Sequence, residues 1–151
     1  MNRLQGKTAV ITGGNSGVGA AAALLFAREG ANVVISARRQ SALDEAAEKI
    51  RAEGGSVLTV ATDISKDGDC KALMQAAADK FGKIDILVNN AGVLDTGLKA
   101  IDKYLDEDAE KVISINEVGT MQCIRAALEK MSEGASIVNV ASVAGYNGGG
   151  G

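Results

Sequence analysis

Histidine is absent from all 151 residues. That removes Ser-His-Asp hydrolysis, histidine-based zinc sites and imidazole acid–base chemistry together. Cysteine is nearly absent. Cys70 and Cys123 stand singly inside helical patterns, so two small buried or half-buried thiols in a reducing compartment are expected, with no disulfide framework and no metal site. The net charge of −3 and the scattered cations give no support for nucleic-acid or anionic-membrane binding. No apolar run approaches the roughly 18 residues that span a bilayer. The start, Met1 to Gly6, lacks the apolar core of a secretory signal. A cytoplasmic protein with a small-molecule partner is expected. What remains is an ordinary composition, 46% hydrophobic and 23% charged, in a chain long enough to bury the core of one domain.

Apolar, β-rich runs alternate with helical patterns. Strands are expected near Thr8–Thr12, Asn32–Ala37, Ser56–Ala61, Ile84–Asn89 and Ser136–Ala141. Leu43, Ala46, Ala47 and Ile50 keep the i, i+3, i+4, i+7 spacing of one helix face, as do Cys70, Leu73, Met74, Ala77 and Phe81. The longest helix is expected from about Asp106 to Met131, with Ala109, Val112, Ile113, Asn116, Thr120, Ile124 and Ala127 on one face. Gly30, Gly54, Gly82 and Gly134 stand where C-caps close helices. This order predicts an α/β fold, a Rossmann-like doubly wound parallel sheet that ends after its fifth strand. In such sheets ligands bind beyond the carboxyl ends of the strands, at the switch in strand order.

The most informative stretch follows the first strand: Thr12-Gly13-Gly14-Asn15-Ser16-Gly17-Val18-Gly19. A glycine-rich turn between a strand and a helix aims unpaired N–H groups and the positive end of the helix dipole at an anion. Gly14 and Gly19 have the outer spacing of an ATPase phosphate loop, but Ala20 and Ala21 stand where Lys and Ser/Thr are required. The literal G-x-G-x-x-G fingerprint does not fit either. T-G-x-x-x-G-x-G does fit, and here the sequence resembles the short-chain dehydrogenase/reductase family. The resemblance implies a diphosphate cradle built from Gly13, Asn15, Ser16, Gly17, Val18 and Gly19.

An NAD enzyme of this kind places Asp or Glu at the end of the second strand to bind the ribose hydroxyls. That place reads Ser36-Ala37-Arg38-Arg39, with no acid between Glu29 and Asp44. Arginine forks onto phosphate, and cations at a helix start oppose its dipole. Ala37, Arg38 and Arg39 therefore favour NADP, with NAD as the alternative. The family counterpart of Asp63, beside Ile64, contacts adenine. Read alone, Asp63-Ile64-Ser65 caps a helix starting near Lys66.

Asn89-Asn90-Ala91-Gly92 matches the family motif that braces the sheet and lines the nicotinamide side, which adds Asn89, Ala91 and Gly92 to the cofactor residues. Asn116 falls in the apolar stripe of the long helix, where a buried amide must find partners. The resemblance makes it the active-site asparagine, and makes Ser142 the serine that hydrogen-bonds the substrate oxygen. The family's acid–base is a tyrosine in Y-x-x-x-K, whose i, i+4 spacing lets the ammonium depress the phenol pKa. This chain has no such pair: Asp108 follows Tyr104 by four, and Gly150 follows Tyr146.

Residues 1–151 are thus expected to be an incomplete dinucleotide-binding domain, without the Tyr-Lys helix or the substrate loop. The implied parent is a homo-oligomeric oxidoreductase that interconverts alcohols with ketones or aldehydes. The present chain is expected to be inactive alone, with Ser136–Ala141 an unprotected sheet edge. The rival reading is a non-catalytic dinucleotide-binding or sensor module.

Overall fold

Three strands rich in buried apolar residues form the middle of the sheet. In the computed structural model, which describes residues 2–94 and 100–147, β1 (Thr8–Thr12) is buried along its whole length. It is flanked by β2 (Asn32–Ala37) and β4 (Ile84–Asn89). β3 (Ser56–Ala61) and β5 (Met131–Asn139) complete a wholly parallel sheet in the order β3-β2-β1-β4-β5. Successive residues point to opposite faces, which gives two cores. Val10, Val34 and Leu87 pack with Cys70, Leu73, Met74, Cys123 and Ala127 on one side. Ile11, Val33, Ile35 and Val88 pack with Ala23, Leu43, Ala47 and Ile50 on the other.

Helices α1 (Gly17–Arg28) and α2 (Gln40–Ala52) cover one face, and α3 (Asp67–Phe81) and α5 (Thr120–Leu128) the other. The chain builds outward from β1 to β3, then returns to the far side of β1 for β4 and β5. The gap above β1 and β4 is therefore the switch in strand order, where a crevice opens between loops diverging in opposite directions. Gly30, Gly54 and Gly82 follow α1, α2 and α3 at φ of 88°, 79° and 87°, as expected of glycine stops.

Three expectations need correction. The single long helix is α4 (Asp106–Ile113), a π-helical segment (Ser114–Gly119) and α5 in succession, ending at Leu128. A π turn carries an extra residue and offsets the i, i+3, i+4 register. Gly119, Cys123, Ala126 and Ala127 are consequently the buried residues, while Ile113 and Asn116 are exposed. Gly134 closes no helix. It lies within β5 at φ 84°, where the pairing jumps from Ile84↔Met131 to Ile86↔Ser136. The fifth strand thus starts before Ser136 and ends at Asn139, before Ala141.

β5 pairs only with β4 among the described residues, so it is an edge, as expected; Ile137 and Val138 along it and Val140 just beyond it are exposed. The short helix α6 (Ala144–Asn147) follows, and Gly148–Gly151 lie outside the described residues. No helix among those residues is long and apolar enough to cross a membrane.

Candidate functional site

The loop after β1 is held from below by β4. Thr12 Oγ1 accepts hydrogen bonds from the backbone N–H groups of Asn90 and Ala91, each at 3.0 Å. Asn90 Nδ2 donates to Thr12 O at 3.0 Å and Gly13 O at 3.3 Å. This contact leaves no room for a side chain at Gly13 or Gly19. A Cβ at Gly13, where φ is 66°, would lie 2.9 Å from Ala91 Cα and 2.9 Å from Asn90 Nδ2. One at Gly19 would drive into Gly13 O and lie 2.5 Å from Asn90 Nδ2. Gly17 and exposed Val18 open α1, whose Ser16 cap makes no side-chain hydrogen bond and whose first turn carries no acid. The first N–H groups of α1 thus keep their capacity for an anion.

A cleft of about 610 Å³ lies beyond the carboxyl ends of β1, β2 and β4. Gly13, Asn15 and Ser16 line it from the loop, Ala37, Arg38 and Arg39 from the end of β2, Asp63 and Ile64 from the loop after β3, and Ala91 and Gly92 from the loop after β4. Ten of the sequence-predicted cofactor residues therefore share one wall system. The side chains of the exposed Arg38 and Arg39 make no ion pair or hydrogen bond among the described residues. Arg39 stands at the N-cap of α2, whose first turn has no acid. Beside them Ser36 is 1% exposed, and its Oγ has no hydrogen-bond partner. The rim is cationic and rich in unused donors.

Asp63 supplies the one carboxylate of the cleft wall among the described residues. Its Oδ1 accepts from Ser65 Oγ at 2.7 Å and from Ser65 N at 3.1 Å. The Ser65 hydroxyl holds its pKa below the usual carboxylate range against the opposing effect of partial burial, with help from Lys66 and Arg38. The carboxylate thus closes a local turn rather than capping α3, whose N-cap is Lys66.

The remaining predicted residues lie elsewhere. Asn89 is buried and turned toward β5, where its Nδ2 donates to Asn139 Oδ1 at 2.9 Å. It braces two strands, while its neighbour Asn90 reaches the cleft. Asn116 is exposed, not buried in an apolar stripe, yet both ends of its amide are used. Nδ2 donates to Val93 O and Oδ1 accepts from Val93 N, each at 2.8 Å. It therefore borders the cleft through Val93. Ser142 is exposed beyond the end of β5, and its Oγ accepts from Ala144 N at 3.1 Å. The sequence reading missed Ser36, Thr62, Asn90, Val93 and Ile115 as cleft residues. Asn90 and Ser36 carried a signal, their places within Asn89-Asn90-Ala91-Gly92 and Ser36-Ala37-Arg38-Arg39.

Residues 7–151 match the family described as short chain dehydrogenase. The chain is 38% identical over 144 residues to an uncharacterized oxidoreductase of Methylorubrum extorquens, a match covering 95% of this chain and 57% of that protein. It is 37% identical over 145 residues to glucose 1-dehydrogenase 2 of Bacillus subtilis, covering 93% of this chain and 55% of the relative. A solved short-chain type dehydrogenase/reductase from Mycobacterium marinum superposes with a TM-score of 0.92 at 30% identity, over 96% of this chain and 59% of its own. The chain spans little more than half the length of these relatives.

Proposed function

The chain belongs to the short-chain dehydrogenase/reductase family, and from that premise we propose that it is the cofactor-binding N-terminal part of an NADP-dependent, cytoplasmic oxidoreductase. The complete protein, a homo-oligomer in this reading, interconverts alcohols with ketones or aldehydes. When bound, the nicotinamide supplies or accepts the hydride.

The end of β2 carries the cofactor choice: Ala37 where an acid would hold ribose hydroxyls, followed by Arg38 and Arg39, whose guanidinium groups make no ion pair among the described residues. Two guanidinium groups at a cleft rim, neither bonded to a carboxylate, suit a ribose phosphate. The crowded Gly13 and Gly19 and the uncapped start of α1 fit a diphosphate. Asp63 and Ile64 take the adenine side, and Ala91 and Gly92, supported by Asn89, the nicotinamide side. Asn116 and Ser142 keep the catalytic roles that the family resemblance implies, with Ser142 orienting the substrate oxygen. The proton is exchanged by a tyrosine of a Tyr-x-x-x-Lys pair, which these 151 residues do not contain.

Calorimetric titration of the chain with NADPH and NADH tests the reading. NADPH is expected to bind tighter by about tenfold or more, the worth of one charge-assisted phosphate contact. Equal or tighter binding of NADH overturns the cofactor assignment.

The exposure of Ser142 also fits a second reading, a non-catalytic dinucleotide-binding or sensor module. The two separate on the coding frame beyond Gly151. A frame continuing to Tyr-x-x-x-Lys supports the enzyme, and a stop codon supports the module. Under both readings this chain alone turns over no ketone or aldehyde, since positioned acid catalysis commonly supplies about 10²–10⁴-fold. NADPH consumption that survives repurification and vanishes in Ser142→Ala would contradict both.

A further inference from the structure

Cys70 and Cys123 lie 53 positions apart in sequence, yet their sulfurs are 3.6 Å apart between α3 and α5. Both side chains are fully buried, and both are free thiols. The Cys123 S–H donates to Cys70 Sγ, while the Cys70 S–H is directed at Ile64 O at 3.3 Å. The pair therefore sits directly behind the cleft wall. We propose that Cys70 and Cys123 form an oxidisable dithiol, a modification site that hydrogen peroxide converts to a disulfide tying α3 to α5.

The geometry needs little change. A disulfide has an S–S bond of about 2.05 Å, so the sulfurs must approach by roughly 1.5 Å, within reach of side-chain rotation and a small helix shift. The two sulfurs are also unequal. The hydrogen bond from Cys123 holds the Cys70 thiol below its ordinary value, against burial and the charges of Asp67, Asp69 and Asp63. The same bond, with burial, pushes Cys123 up. Cys70, whose sulfur accepts the hydrogen bond from Cys123, is the attacking thiol and Cys123 the resolving one.

In the first step Cys70 loses its proton and its sulfur attacks one peroxide oxygen. The O–O bond breaks, the departing hydroxide takes that proton as water, and Cys70 becomes a sulfenic acid. In the second, Cys123 Sγ attacks Cys70 Sγ and the S–O bond breaks. The hydroxide released takes the Cys123 proton as a second water. Two thiols lose two electrons and one peroxide is reduced to two waters.

The test treats the folded chain with hydrogen peroxide, alkylates remaining thiols under denaturing conditions, and maps the unreduced digest by mass spectrometry. The expected product is a monomer whose Cys70 and Cys123 peptides are joined, two hydrogen masses lighter, and restored by dithiothreitol. Exposed Met121 serves as the internal clock for oxidant exposure. In Cys123→Ser the same treatment should leave a Cys70 sulfenic acid that dimedone traps, with no cross-link. Recovery of both cysteines as alkylated thiols after Met121 has become sulfoxide overturns the proposal, as does a product joined only between chains. The map of the unsubstituted chain decides even if the serine variant does not fold.

Discussion

Asn116 grips Val93 at both ends: its Nδ2 donates to Val93 O and its Oδ1 accepts from Val93 N, each at 2.8 Å. The Asn116 amide donates and accepts in one plane, which matches the C=O and N–H of a single residue. The grip ties the π-helical segment to the loop carrying Ala91 and Gly92, and so to the cleft wall. Thr120 Oγ1 adds a bond to Asn116 O at 2.8 Å, inside the helical run itself.

Removing the grip should be measurable. Asn116→Ala is expected to lower stability by about 1–2 kcal/mol, two partly exposed hydrogen bonds at the net worth of such bonds. Asn116→Asp should recover little, because a carboxylate keeps the acceptor for Val93 N and turns a charge toward Val93 O. Urea unfolding of both variants checks this, and an Asp variant as stable as the parent would show that the bracket has no energetic role.

The loop after β1 tolerates no methyl group at Gly19. The added Cβ meets Gly13 backbone and the Asn90 amide that holds the loop, so the loop itself must shift. Gly19→Ala is expected to cost about 1–3 kcal/mol, as overpacking does. It should also weaken dinucleotide affinity tenfold or more by displacing the N–H groups at the start of α1. Thermal unfolding and NADPH titration read the two effects. Unchanged values of both would refute the close contact.

Charge reversal at the rim should act on one cofactor. Arg38→Asp, with Ala37 retained, places a carboxylate beside the ribose position and removes a phosphate partner. NADPH affinity should fall by about tenfold or more while NADH affinity holds or rises. Parallel loss of both would assign Arg38 a general structural role instead.

Acid should weaken the end of the sheet opposite the cleft. Asp85 is 7% exposed, and its carboxylate accepts from Thr8 N at 2.9 Å and pairs with Lys83 at 2.9 Å and Lys7 at 3.4 Å. Burial raises its pKa, but the bonds from Lys83, Thr8 and Lys7 prevail and hold it below the usual carboxylate range. Since the folded pKa lies below the unfolded one, this stability is complete at neutral pH and is lost as pH falls through the folded pKa. Asp85→Asn should therefore cost roughly 1–3 kcal/mol at pH 7, with the difference from the parent shrinking in acid. A pH-independent difference would place the effect in packing rather than charge.

Much of this arrangement was legible along the chain. The bounds of β1 to β4, the buried faces of α2 and α3, and the glycine stops at Gly30, Gly54 and Gly82 follow from signals confined to a few residues. An unbroken apolar run has one comfortable place in a doubly covered sheet, and a stripe at helical spacing has one face to bury. The clustering of Gly13, Ala37, Arg38, Asp63 and Gly92 in one cleft was equally foreseeable, because parallel strands deliver their carboxyl ends to one edge.

Tertiary structure decided what depends on distant partners. The extra residue in the π turn rotated Asn116 out of the expected stripe and onto Val93, and spacing along the helix carries no sign of such a turn. Pairing with β4 set the limits of β5 and drew Gly134 into it. It also turned Asn89 to Asn139 and left Asn90 for the glycine loop, since neighbours in a strand face opposite ways. The contact of Cys70 with Cys123 arose only where α3 and α5 met. Local periodicity determined which surfaces each element would bury, and only packing determined which side chains would touch.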